Sequence, residues 1–339
     1  MMGSVAAMPA SLPTPGSHPV STIYQAIGLL DDPFPRDPEA GVFVELDPQM
    51  AVFGEVRDWL SAPLSGALGL AVVAGANGTG KTRLLGRLVE SLGDDDRLIG
   101  VVPGNGSRRS DAQLVRELIV ALGGTPAGRT GLELTTELRA ILDQHRVDLL
   151  PPILLVDNAA LSGSQLEIMR SILLVTTSVP QQTRVQIVLF GPPELPDRIA
   201  RRRSLAQLTR KTLHLRQLPE SAIGALLTTR AAAVRDREAD PLFTANALRS
   251  IARSSQGNPA LALAIAHTAV REAIATGRMA VDAVVANNAS VAVLALQGPT
   301  TRIRAANGDE GAIQTRLSLP GMEDVAEAPP LTRRRRQQR

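Results

Sequence analysis

The chain has 339 residues, 44% of them hydrophobic and 20% charged, with a formal net charge of +3, enough for one large domain or two ordinary ones whose cores need no covalent staples. With no cysteine and four scattered histidines, disulfides, thiol chemistry and cysteine-based metal sites are excluded. Seven aromatic residues leave a core of Leu, Val, Ile and Ala, and too few rings for a platform that stacks single-stranded nucleic acid.

Residues 1–20 are rich in Pro, Ser and Gly, the composition of a disordered leader. They lack the charged start and apolar run of a secretory signal. No apolar run approaches the roughly 18 residues needed to span a bilayer, so a cytoplasmic protein without membrane insertion is expected. Structured sequence begins at Ser21. The prolines of Asp31–Pro38 mark a loop, and Val52–Leu60 is expected to open a helix.

From Leu68 onward, apolar runs alternate with amphipathic stretches. Strands are expected at Leu68–Ala74, Leu98–Pro103, Pro152–Asp157, Val185–Phe190 and Thr212–Leu215. Helices are expected at Lys81–Ser91, Asp111–Leu122, Leu132–His145, Leu161–Leu174 and Leu195–Leu208. Strands separated by helices of this length imply a parallel sheet covered on both faces. After Pro219 the pattern turns helical, at Glu220–Arg235, Thr244–Ser254 and Pro259–Ala275, and beyond about Ser290 it dissolves. The expected organisation is therefore a disordered leader (1–20), an α/β domain (21–217), a small helical lid (218–289) and a disordered basic tail (290–339).

The strand at Leu68–Ala74 runs into Gly75-Ala76-Asn77-Gly78-Thr79-Gly80-Lys81-Thr82, and a helix follows. This matches GxxxxGK[ST] at every fixed position, in the strand–loop–helix setting of a P-loop. Glycines let successive N–H groups converge on phosphates, and the helix N-terminus adds partial positive charge. Lys81 is assigned to the β- and γ-phosphates and the Thr82 hydroxyl to Mg²⁺; Gly75 to Thr82 and the adjacent Arg83 form the cradle for ATP. Only two of the 36 basic residues are lysine. A compact ammonium fits between phosphates where a planar guanidinium does not.

The second half of such a site is an apolar strand ending in an acid. Pro152–Asp157 supplies it, with Asp157 placed to hold Mg²⁺. The next residue, where ATPases of this kind carry glutamate, is Asn158. An amide orients a water but accepts no proton at neutral pH, and loss of a positioned base typically costs about 10²–10⁴ in rate. Lys81, Asp157 and Asn158 are the expected catalytic set, with slow turnover.

Three further stretches narrow the picture. Tyr24–Pro38 (YQAIGLLDDPFPRDP), Val188–Leu195 (VLFGPPEL) and Pro241–Pro259 (PLFTANALRSIARSSQGNP) resemble, in order, segments of the ExeA/GspA-type AAA+ ATPases, whose relatives include the transposition ATPases TniB and TnsC. The resemblance spans about Tyr24–Ala275. It implies an AAA+ P-loop fold, ATP-dependent homo-oligomers and an arginine finger acting on a neighbouring subunit, for which Arg201, Arg203 and Arg210 (with Arg202 beside them) are the candidates. The chain departs from the pattern at Asn158, at Pro192 in place of a polar residue, and at Ala260 in place of a lid arginine that senses the γ-phosphate.

Three functions are consistent with this reading. One is an assembly-regulating ATPase of the ExeA kind, acting on a protein complex. Another is a DNA-bound transposition ATPase, with Arg333–Arg336 and the arginines between Arg198 and Arg216 meeting phosphates. The third is a non-hydrolysing adaptor whose partner affinity changes with ATP.

Overall fold

The computed structural model describes residues 22–35, 41–62, 69–93, 98–104, 109–144, 151–177, 185–235 and 240–296. All of them fall within one compact unit, 1–297. The expected leader and the Arg333–Arg336 run lie outside the described residues.

Five parallel strands form one sheet: β1 (Gly69–Gly75), β2 (Ile99–Val102), β3 (Ile153–Val156), β4 (Gln186–Gly191) and β5 (Thr209–Leu215), in the order β2-β3-β4-β1-β5. Every residue of β1, β3 and β4 is buried, as expected of strands covered on both faces, which read as unbroken apolar runs. β5 sits at the sheet's edge, and most of its residues alternate between half-buried and exposed. It starts three residues before the expected Thr212. Its extra residues, Thr209, Arg210 and Lys211, are polar and carry no apolar signal, which an edge strand tolerates.

α1 (Thr22–Gln25) opens the described chain, and around the sheet lie α2 (Asp47–Ser61), α3 (Lys81–Leu92), α4 (Asp111–Ala121), α5 (Gly131–Gln144), α6 (Gly163–Thr177), α7 (Leu195–Ala200) and α8 (Arg203–Leu208). α2 begins five residues before the expected Val52, because Pro48 stands in its first turn, where proline lacks only an N–H that has no helical partner. The single helix expected over Leu195–Leu208 is two. The break falls at Arg202, whose backbone is extended and whose guanidinium donates to the Arg198 carbonyl at 3.0 Å.

The C-terminal helices are α9 (Glu220–Ala233), α10 (Ala245–Ser254), α11 (Pro259–Ala275) and α12 (Ala283–Leu296). Side chains cap α10 and α11: Thr244 accepts from the Ala247 N–H and Asn258 from that of Leu261. α12 corrects the expectation that order is lost beyond Ser290. It buries Val285, Ala286, Ala289, Ser290 and Val293, but its outer face carries Val284, Val291 and Leu294. With Ala and Val on both faces, the sequence shows no helical stripe.

Two apolar clusters flank the sheet, and a third forms the interior of the C-terminal helices. That third cluster includes Ile27, Leu29, Phe34 and Leu46 from the N-terminal segment. The Leu30 N–H donates to the Val234 carbonyl at 2.7 Å, and Phe34 meets Phe243 with ring centroids 5.8 Å apart. Residues expected to belong with the sheet thus pack with the lid helices.

Candidate nucleotide-binding site

β1 delivers the chain to the loop 75–80, and α3 begins at Lys81. Gly78 (φ 81°) and Gly80 (φ 96°) are left-handed, a conformation glycine adopts without the steric cost of a Cβ. Close approach fixes both as well. A Cβ on Gly78 would lie 2.5 Å from Asn258 Oδ1, and one on Gly80 would lie 2.8 Å from Gln49 Nε2. The loop is braced from both sides. Gln49 on α2 donates to the Thr79 carbonyl at 2.9 Å, and Asn258 donates to the Asn77 carbonyl at 2.8 Å. The Ala260 N–H donates to the Gly78 carbonyl at 3.2 Å. The first turn of α11 therefore rests on the P-loop itself.

Lys81 is 8% exposed. Its Nζ donates to the carbonyls of Gly75 and Ala76, each at 2.8 Å. Burial pushes its pKa down, opposed by the charges of Asp157 and Glu194. The Thr82 hydroxyl donates to Asp157 Oδ2 at 2.7 Å, which joins the two halves of the expected metal site. The other carboxylate oxygen, Oδ1, accepts from the Asn158 N–H at 2.8 Å. Among the described residues no three His, Cys, Asp or Glu side chains gather as a metal cage. A hard divalent cation at Thr82 and Asp157 would take its remaining ligands from phosphate and water, the usual arrangement for Mg²⁺.

Asn158 is exposed and left-handed, with φ 44°, a region that asparagine enters more readily than most residues. Gly104, two residues past β2, packs beside it: a Cβ there would sit 2.6 Å from that of Asn158.

These residues line a pocket of about 480 Å³. Its lining includes Lys81, Thr82, Asp157 and Asn158, Phe43, Val44 and Leu46 before α2, Leu226 and Arg230 of α9, and Pro259, Ala260 and Leu263 of α11. Glycine loop, buried ammonium, helix N-terminus and Thr–Asp pair fit a nucleoside phosphate with Mg²⁺. Asn77, Gly78, Gly80 and Arg83 also line the pocket. Gly75 and Ala76 reach Lys81 through their carbonyls. Thr79 is buried, and its hydroxyl donates back to the Ala76 carbonyl at 2.9 Å.

Arg201, Arg203 and Arg210 are exposed and do not line this pocket. Sequence reasoning missed Gln49, Asn258 and Arg230, since none has a fixed spacing from the P-loop. Asn258 carried a local signal as the residue before Pro259, but it marked only a helix start.

Residues 66–199 match the family model described as AAA domain. No curated protein matches the chain. Solved structures share its fold. The Aeropyrum pernix ORC2 protein, solved in ADPNP–ADP complexes, is 17% identical, with TM-score 0.59 over 77% of this chain and 71% of its own. Cdc6p from Pyrobaculum aerophilum is 22% identical, with TM-score 0.59 over 75% and 68%. The Aeropyrum pernix ORC1 protein, solved in complex with DNA, is 17% identical, with TM-score 0.60 over 77% and 68%. At these identities the likeness is one of fold, and the fold is that of the AAA+ P-loop NTPases.

Proposed function

We propose that this chain is an ATP-binding molecular switch that turns its nucleotide over slowly and regulates an assembly, in the manner expected of an ExeA-type ATPase. The observation that carries this reading is the Thr82–Asp157 hydrogen bond beneath a fully formed glycine loop. When bound, Mg²⁺–ATP supplies a polarised terminal phosphate. The residues around it act through position and charge. Loop N–H groups and Lys81 Nζ, freed from the Gly75 and Ala76 carbonyls, bind phosphate oxygens, while Thr82 and Asp157 hold the cation. Asn158 orients a water through its amide but takes no proton from it, which favours a long-lived bound state. The bonds from Asn258 and Ala260 to the loop tie the lid to whatever the loop holds, a direct route from nucleotide state to lid position.

Oligomers completed by Arg201, Arg203 or Arg210 of a neighbouring copy belong to the same proposal. The three are exposed and lie away from their own pocket, as residues acting in trans must. The test is calorimetry with a slowly hydrolysed ATP analogue and Mg²⁺, steady-state phosphate release, and sedimentation with and without nucleotide. Absence of nucleotide binding sinks the reading. A turnover near one per second or faster, within the ordinary enzyme range of about 1–10³ per second, removes its slow-switch part.

A second reading, a DNA-associated ATPase of the TniB or TnsC kind, is favoured by the exposed Arg201, Arg203, Arg210 and Arg216 along one stretch of chain. Duplex affinity measured by anisotropy between about 50 and 200 mM salt must then fall steeply, because each neutralised phosphate releases a counterion.

A further inference from the structure

One charged residue of the pocket plays no part in the phosphate cradle. Arg230 lies on α9, one turn beyond Leu226, and both line the pocket. It is 6% exposed, and its Nε has no hydrogen-bond partner. Among the described residues no carboxylate compensates it. Burial and the nearby Arg83 guanidinium both work against its charge. Arg83 itself donates to the Gly41 carbonyl at 2.8 Å. Arg230 presses on the same residue, so closely that a Cβ on Gly41 would run into its Nη1.

Two guanidinium groups thus meet Gly41 at the wall of one pocket. An arginine cannot escape burial by losing its proton, so an uncompensated guanidinium there is unfavourable unless something brings negative charge. We propose that Arg230 is the lid's own ligand for the nucleotide, pairing with its α-phosphate end; this rests on the nucleotide-binding reading above. The direction follows from which groups stand together. Thr82 and Asp157 meet where the cation and the terminal phosphates would bind. Arg230 and Arg83 instead share Gly41, Arg83 stands over the Phe43 ring at 5.6 Å, and the apolar Phe43, Val44, Leu46 and Leu226 suit a base. Arg230 stands with that group. It therefore differs in kind from the lid arginine expected at Ala260, which would read the terminal phosphate. Arg230 holds ADP and ATP alike, and keeps the lid engaged in both states.

The experiment compares the full chain with its Arg230→Met, Arg230→Lys and Lys81→Ala variants. Affinities for ADP and for a slowly hydrolysed ATP analogue, both with Mg²⁺, are measured by calorimetry, and the melting temperature is taken without nucleotide. Arg230→Met should weaken both nucleotides by the same factor, on the order of 10- to 100-fold, the worth of a hydrogen bond to a charged group. The same change should raise the nucleotide-free melting temperature by about 2–4 °C, because a neutral side chain of similar length relieves the buried charge. Arg230→Lys, which keeps the charge but not the fork, should retain part of the affinity. A purely structural arginine would instead lower the melting temperature and leave affinity unchanged. Unchanged affinity in Arg230→Met beside a wild type that binds and a Lys81→Ala variant that does not overturns this proposal alone. A loss confined to the ATP analogue also overturns it, by placing the guanidinium at the terminal phosphate. A wild type that binds neither nucleotide removes the nucleotide-binding reading and this proposal together.

Discussion

Thr82 and Asp157, far apart in the chain, are joined by a 2.7 Å hydrogen bond from the threonine hydroxyl to the carboxylate. The contact brings the start of α3 and the end of β3 to one point, where a divalent cation would meet both oxygens. Thr82→Val removes one of them and leaves Asp157 Oδ2 without this donor. Affinity for an ATP analogue should fall by roughly 10-fold or more with Mg²⁺ present, from about 1.5–3 kcal/mol for a hydrogen bond to a charged group. With Mg²⁺ chelated, the difference should shrink; calorimetry in the two buffers reads it directly.

Lys81→Arg is expected to fail as a conservative change. The lysine is buried, and its ammonium reaches two loop carbonyls at 2.8 Å each. A planar fork has neither the room nor the point charge to take its place. Equilibrium binding should show Lys81→Arg nearly as impaired as Lys81→Ala, and near-native affinity in the arginine variant would refute this account of the loop.

Asn158→Glu places a carboxylate after Asp157, the proposed metal ligand, and phosphate release should rise if the missing base limits turnover. The backbone resists the change. At φ 44°, a residue that does not share asparagine's tolerance of this region costs about 1–2 kcal/mol. A faster rate should therefore come with a lower melting temperature, and the two measurements are best made on one preparation.

Gly78→Ala tests the bracing of the loop by the lid. Its φ of 81° and the 2.5 Å approach of a Cβ to Asn258 Oδ1 both oppose a side chain. Relief requires Asn258 to move, which breaks its bond to the Asn77 carbonyl. We expect a stability loss of roughly 1–2 kcal/mol from the backbone alone, together with faster proteolysis or hydrogen exchange at the start of α11.

Asp32 couples the N-terminal segment to α11. His267 Nδ1 stands 3.2 Å from its Oδ2, a close contact without well-directed hydrogen-bond geometry. Burial pushes the Asp32 carboxyl up, but His267, the Phe34 N–H and Tyr24 together hold it below the ordinary 3.8. A carboxylate whose folded pKa is depressed adds stability above its unfolded pKa and loses it as pH falls through the folded one. Asp32→Asn should therefore lower the melting temperature at pH 7. The gap from the wild type should narrow only below pH 3.8. A gap that closes already between pH 7 and 5 would assign the effect to another group.

Sequence alone determined the parts of this protein that depend on neighbours along the chain. The P-loop was legible because four fixed residues within a span of eight, and the helix start that follows, must be contiguous to cradle phosphate, and the strand ending at Asp157 because a buried parallel strand is an unbroken apolar run. Burial and charge balance could not be read this way, since they depend on which elements meet. Leu30 and Phe34 look like loop residues until Val234 and Phe243 of the lid lie against them. Val284 and Val285 are adjacent and alike in sequence, but packing buries one and exposes the other. Arg230 is one arginine among 34, and its distinction is wholly tertiary: α9 places it in the pocket beside the P-loop and Arg83, with no carboxylate among the described residues to pair it.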